Sequence, residues 1–368
     1  MHLSDVTLRE GDQLPGREFT VEQKVDCARA LDDLGLPFVQ AGFPVTGETD
    51  REVLSELADG LDAEVIGLAR ALEGDVDAVV DTGAAVVELF VSLSDRHLEH
   101  LLGMSREEML AMLASAVDYA HDRGATVHVT LADAFRTDQS HVVKVADCIG
   151  SVPYLTLADT VGARTPTSVR AYLDTLAADL DLGGVGVHFH DDMGCATANA
   201  LAAYEAGVGK ADVSVAGLGE RAGNSPLEEV VVAAAVDHDD DLGVETGALV
   251  PTCRHVLETL GEEWDDRKAV LGRTVSEHES SIHTTAMLSD PATMEPYDPG
   301  RFGGERRLVF GAGTGASGAR KLLDRAGVPA DEETVTAFRE ALADRGPTDL
   351  DGAVALAADE FGDESGDD

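Results

Sequence analysis

Lysine is scarce in this 368-residue chain. Only five occur, and Lys and Arg together number 27 against 70 Asp and Glu, a formal net charge of -43. A field of that sign repels nucleic acid and anionic membranes, which argues against both as partners. The acids are spread along the whole chain, so a surface adapted to high salt accounts for them better than a docking face for one cationic partner. Molar salt shortens the Debye length to about 3 Å, so this charge does not bar an anionic substrate. Cysteine is sparse too: Cys27, Cys148, Cys195 and Cys253 stand far apart with no CxxC pair. That excludes a zinc-finger or disulfide framework and suits reduced, mostly buried thiols. No apolar run approaches the roughly 18 residues of a membrane span. The N-terminus, MHLSDVTLREGD, places acids where a secretory signal needs a basic start and an apolar run, which predicts a cytoplasmic protein.

What is present is apolar and alternating. Hydrophobic residues make up 44% of the chain, ample for a large core. Short β-rich runs recur at HLSDVTL, PFVQAGF, AEVIGLA, VVELFVSL, ATVHVTLA, YLTLAD, GVGVHFH and ADVSVAGLG. Helical patterns lie between them, and some open on a capping pair such as Ser105 and Glu108. Eight strands each followed by a helix predict a (β/α)8 barrel over residues 1–245, since a doubly wound sheet needs no eighth unit. Beyond that the alternation stops. A mainly helical C-terminal extension is expected over 246–356, with helices to 282, a Pro- and Gly-interrupted loop over 284–304, then more helix. An acidic tail, frayed at the end, is expected over 357–368.

In such a barrel, chemistry gathers at the C-terminal ends of the strands. There the sequence puts Arg9 and Glu10 after strand 1, Asp159 and Thr160 after strand 6, His188 and His190 on strand 7, and GLGERAGN after strand 8. Histidines two apart on a strand share a face. Alone they are either a ligand pair or two ordinary residues. Strand 1 closes beside strand 8, so Glu10 comes near them, and two imidazoles with one carboxylate suit a divalent metal with open positions. Arg9 is suited to a developing oxyanion. Thr160 either caps the next helix or holds a substrate carboxylate. Glu220 and Arg221 read equally as a structural ion pair or as part of the site.

DVTLREGDQ, ADTVG at 158–162, HFHDDMGCATANALAAYEAG at 188–207 and GLGERAGNSPLEEV at 217–230 together resemble the 2-isopropylmalate, homocitrate and citramalate synthases, metal-dependent TIM-barrel acyltransferases. The resemblance implies a Claisen condensation of acetyl-CoA with a 2-oxo acid in amino-acid biosynthesis. It implies a divalent metal (Mg, Mn or Zn) held by Glu10, His188 and His190, with Asn224 near it. Arg9 would steady the enolate and Thr160 the 2-oxo acid's carboxylate. An acid/base histidine of the C-terminal extension would reach the neighbouring barrel, implying a homodimer with exchanged C-terminal elements. His283 matches it best, with His278 second. LREG, HDD and IHTTAMLSDP lean toward homocitrate synthases. His128 and Ala69–Arg70, which stand where groups gripping a distal carboxylate would be expected, lean away. His128 and Thr130 are the remaining substrate-binding candidates.

Two departures stand out. The glutamate expected at the end of strand 5 is Ala132, followed by Asp133, and the one expected on strand 2 is Gln40. Ala132 cannot relay a proton, so a catalytically weakened paralogue that binds metal and 2-oxo acid is one alternative. A hydroxymethylglutaryl-CoA lyase-like carbon–carbon lyase is another, although AGLGERAGN lacks the cysteine expected of it.

Overall fold

The computed structural model describes residues 1–362. Eight parallel strands close into a barrel: β1 (His2–Asp5), β2 (Phe38–Gly42), β3 (Glu64–Arg70), β4 (Val86–Ser92), β5 (Thr126–Ala132), β6 (Leu155–Asp159), β7 (Val185–Phe189) and β8 (Lys210–Val213). β8 pairs with β1, His2 opposite Lys210 and Asp5 opposite Val213, so no edge is left unpaired. Helices separate successive strands, as the alternation predicts.

Local chemistry explains the boundaries. Helix Val21–Asp33 starts where the Thr20 hydroxyl accepts from the Gln23 N–H and the Gln23 side chain accepts from the Thr20 N–H. Ser105 and Glu108 make the same reciprocal pair before helix Arg106–Asp122. Each pair satisfies two N–H groups that no helical carbonyl reaches. The first and last strands are shorter than their β-rich runs suggest. After Asp5, whose carboxylate accepts from the Thr7 N–H and hydroxyl, the chain turns into a short helix, Thr7–Glu10. After Val213 it runs through a turn-rich loop with Ala216, Gly217, Arg221 and Gly223 all at positive φ.

The chain divides into two compact units, Met1–Trp264 and the part from Asp265 on. Helix Leu249–Leu260, expected to open the extension, therefore belongs to the barrel unit. Its apolar face, with Cys253, Val256 and Leu257, is buried, and its Thr259 carbonyl accepts from Gln23 Nε2 at 2.6 Å. Gly261, at φ 71°, ends that helix, and the following segment to Ser276 is turns, not the helix expected to 282.

The second unit packs helices Ala316–Arg325, Glu332–Arg345 and Leu350–Phe361 around Met287, Phe310, Leu322, Phe338 and Leu356. Its short helix Ser281–Met287, which carries His283, continues through residues 284–287, the start of the stretch expected to be loop. Residues 357–361, expected as tail, stay helical because Ala357 is buried and Phe361 meets the Phe338 ring at 5.7 Å. Residues 363–368 of that expected tail lie outside the described residues. No helix among the described residues is long and apolar enough to cross a membrane.

Candidate functional site

β7, the residue that follows it, and the short helix after β1 bring three ligand-bearing side chains together. Glu10, His188 and His190 are all buried, and one potential ligand atom of each lies within 4.8 Å of the others. His188 Nε2 is 3.4 Å from Glu10 Oε1 and 3.4 Å from His190 Nε2. Asp212 on β8 reaches His188 Nδ1 at 3.1 Å. That contact favours a proton on Nδ1, leaving the Nε2 lone pair toward the cluster. Asn224 Nδ2 lies 3.1 Å from the same Nε2, while its Oδ1 is buried without a partner. Burial, with His188 beside it, pushes the His190 imidazole down to about 4. Burial alone would raise the Glu10 carboxyl, but Arg9 and the two histidines outweigh it and hold it below its ordinary value. The cluster therefore offers neutral imidazole nitrogen and anionic oxygen, the donor types a divalent cation takes.

From Glu10 a closed circuit of polar contacts runs through the barrel interior. Arg9 pairs with Glu10, and its Nε donates to Gln40 Oε1 at 2.5 Å. Gln40 Nε2 donates to Glu88 Oε2 at 2.5 Å, and the Thr130 hydroxyl donates to Glu88 Oε1 at 2.6 Å. Lys210, wholly buried, lies 3.4 Å from Glu88 and 3.1 Å from Asp212, which leads back to His188. Burial would lower the Lys210 pKa, but the two carboxylates raise it, so it stays charged. Burial would likewise raise Asp212, yet Lys210 and His188 hold it well below the usual carboxylate range. Buried charges persist only when paired in this way.

Glu88, Lys210 and Asp212 escape motif reading. Their signal is an ionisable residue inside the apolar runs VVELFV and GVGKADVSV. Strand parity could have singled them out, since both faces of a barrel strand are covered.

The other expected residues scatter. Thr160 caps no helix; its hydroxyl accepts from the Asp133 N–H at 2.9 Å. Thr130 faces the interior but is engaged with Glu88. His128 sits deeper, toward the N-terminal ends of the strands, with its ring 5.5 Å from Phe38 and 5.1 Å from Tyr154. Burial, with Lys210 near it, pushes its imidazole down to about 4, and in register it stands directly opposite Glu88 on β4. The Asp133 carboxylate is held by Arg136 at 2.6 and 2.7 Å, so it does not replace the carboxylate missing at Ala132. Glu220 and Arg221 do pair, at 2.9 Å, and Arg221 also grips Asp192 and the Thr160 carbonyl. In the second unit the His278 and His283 rings lie 6.0 Å apart.

Residues 1–256 match the HMGL-like family, and residues 270–346 match the homocitrate synthase post-HMGL domain-like family. A homocitrate synthase AksA of Methanopyrus kandleri is 41% identical over 90% of this chain and 84% of its own length. A 2-isopropylmalate synthase of Sulfolobus acidocaldarius is 36% identical over 93% of this chain and 89% of its own. Among solved structures, a hydroxymethylglutaryl-CoA lyase from Pseudomonas aeruginosa superposes with a TM-score of 0.64 at 24% identity, over 71% of this chain and 93% of that one; at this identity the likeness is one of fold.

Proposed function

The chain belongs to the homocitrate and 2-isopropylmalate synthase family of acyltransferases, and from that premise we propose that it condenses acetyl-CoA with a 2-oxo acid. The observation that carries this reading is the buried Glu10, His188 and His190 cluster beside Arg9. These three residues would hold a divalent cation, and the buried, unpartnered Asn224 Oδ1 faces no protein donor that would compete for it. The cation, when bound, would polarise the keto group of the 2-oxo acid.

The chain's own residues supply the rest. Arg9, only about a tenth exposed and fixed by Gln40, directs a guanidinium at the negative charge that forms as the acetyl methyl loses its proton. A carbon–carbon bond then forms between that carbon and the keto carbon, and hydrolysis of the thioester releases CoA. The Thr160 hydroxyl accepts one hydrogen bond and keeps its own proton to donate to the substrate carboxylate. The proton shuttle in this scheme is the partner subunit's His283, in a homodimer with exchanged C-terminal elements.

The test is thiol release from acetyl-CoA, in molar KCl with Mn or Mg, across pyruvate, 2-oxoisovalerate, 2-oxoglutarate and glyoxylate. Release that depends on one 2-oxo acid supports the reading. None from any, by folded metal-loaded protein, refutes it.

One observation favours a second reading, a weakened paralogue: Ala132 brings no carboxylate, and that of Asp133 is tied to Arg136. General acid–base assistance is typically worth about 10²–10⁴-fold. A gain of that order in Ala132→Glu would mark the protein as a weakened condensing enzyme. No gain would mean that the role lies elsewhere.

A further inference from the structure

Glu88 stands at the centre of the barrel, about 1% exposed, three contacts from the proposed metal ligands through Gln40 and Arg9. β2 to β5, the strands around it, carry no lysine, and Arg70 is their one arginine. Arg70 pairs with Asp75 at 2.7 Å with its side chain 54% exposed, so it does not face the interior. His128 on β5 stands opposite Glu88 in register, but burial among aromatic rings pushes its imidazole down to about 4, so it brings no charge there at neutral pH. The two cations that do face inward, Arg9 and Lys210, are both already paired with carboxylates. A second substrate carboxylate reaching into this region would meet Glu88 and find no free cation.

The charge count leads to the same result. Three carboxylates (Glu10, Glu88, Asp212) face two cations (Arg9, Lys210), which leaves one negative charge. A divalent cation turns that into one positive charge, which a single substrate carboxylate cancels. Two substrate carboxylates would leave a net negative charge in a buried site, where pairing decides the energy. Above Glu88 the wall carries an aromatic pair beside Thr130. Phe90, two residues on along β4, shares its facing, and the Phe43 and Phe90 rings meet edge to face at 5.8 Å.

We propose that the acceptor substrate is a monocarboxylic 2-oxo acid with a small uncharged side chain, and that Glu88 is the positioning and specificity residue that turns away 2-oxo dicarboxylic acids. The proposal rests on the condensation reading for the reaction but not for the selectivity, which binding alone reports.

Calorimetric titration of the Mn-loaded protein with 2-oxoisovalerate, pyruvate and 2-oxoglutarate tests it, with thiol release measured in parallel. The larger or smaller of the two monocarboxylic acids should bind on the order of a hundredfold more tightly than 2-oxoglutarate, the scale of a like-charge clash. In Glu88→Gln the gap should close to under about tenfold through a gain by 2-oxoglutarate, and Phe90→Ala should weaken 2-oxoisovalerate roughly tenfold through lost apolar contact. Wild-type protein that binds 2-oxoglutarate as tightly as either monocarboxylic acid overturns the proposal, whatever the variants do. Selective binding without thiol release would overturn the condensation reading and leave the substrate class standing. No binding of either class would overturn both.

Discussion

Asp212 contacts neither substrate nor ion in the scheme above, yet it sets which nitrogen of His188 is free. Partners of this kind typically contribute 10–100-fold to metal affinity. Asp212→Asn should therefore weaken Mn binding by about that factor in a calorimetric titration of the folded variant, and should also lower its melting temperature, since Lys210 loses a buried partner; unchanged affinity would show that His188 is oriented by Asn224 alone. Asp5 offers a residue-scale test of another kind. It is wholly buried, and burial raises its carboxyl to about 7 against the opposing hydrogen bonds from Thr7. The folded chain thus holds this proton more tightly than the unfolded chain, whose carboxyl keeps its ordinary value of 3.8. The stability the proton contributes is present below about pH 4 and is lost as pH rises toward 7. The stability of Asp5→Asn relative to wild type should climb by up to about 1.4 kcal/mol per pH unit across that window and level off above it. Urea melts of both proteins from pH 4 to 8 measure this, and a flat difference would mean that Asp5 ionises freely.

Among the elements, the loop after β8 carries the most constraint. Gly223 lies at φ 86°, and a Cβ there would meet the Gly217 carbonyl that accepts from the Asn224 N–H at 2.9 Å. Gly207, which ends helix Ala196–Ala206 at φ 91°, has open space around it. Gly223→Ala should cost about 1–3 kcal/mol and impair metal binding by displacing Asn224. Gly207→Ala should cost about 1 kcal/mol and leave metal binding intact. Thermal melts and Mn titration of the two variants check the contrast, and equal effects would remove the special role given to this loop. Elements also show how far the sequence could be read. The eight alternating units and the reciprocal caps at Thr20 and Ser105 were legible because period, propensity and capping are local. The early end of β1 was not: Asp5 captures Thr7 and bends the chain toward helix, an event hidden inside a β-rich run. The helix over Ser281–Met287 escaped for the converse reason, since seven residues give too short a period to detect.

For the whole molecule the open matter is how many chains complete one site. The proposed exchange of C-terminal elements makes a definite prediction. Glu10→Ala and His283→Ala, each inactive alone, should regain thiol-releasing activity when mixed and allowed to exchange subunits, because one hybrid site then holds both wild-type residues. Mixtures as inactive as their components would show that each chain completes its own site and would exclude exchange. Dissociation by dilution, followed by light scattering, reports independently on the assembly.

The sequence by itself determined the barrel and the gathering of one cluster of ligand-bearing side chains. Strand–helix alternation is a local pattern, closure of eight such units is forced by the count, and His188, His190 and Glu10 fall at strand ends that the fold must gather. Only the tertiary structure decided which charges lie within reach of one another. Gln40, Glu88, Thr130, Lys210 and Asp212 come from four strands, and nothing in their spacing along the chain shows that they join Arg9 and His188 in one circuit. The tertiary structure also set His128 against the Phe38 and Tyr154 rings and tied Asp133 to Arg136. The physical reason is the same in each case. A strand's period says which side chains face inward, but partners and depth depend on the stagger of neighbouring strands, which is fixed only when the barrel closes.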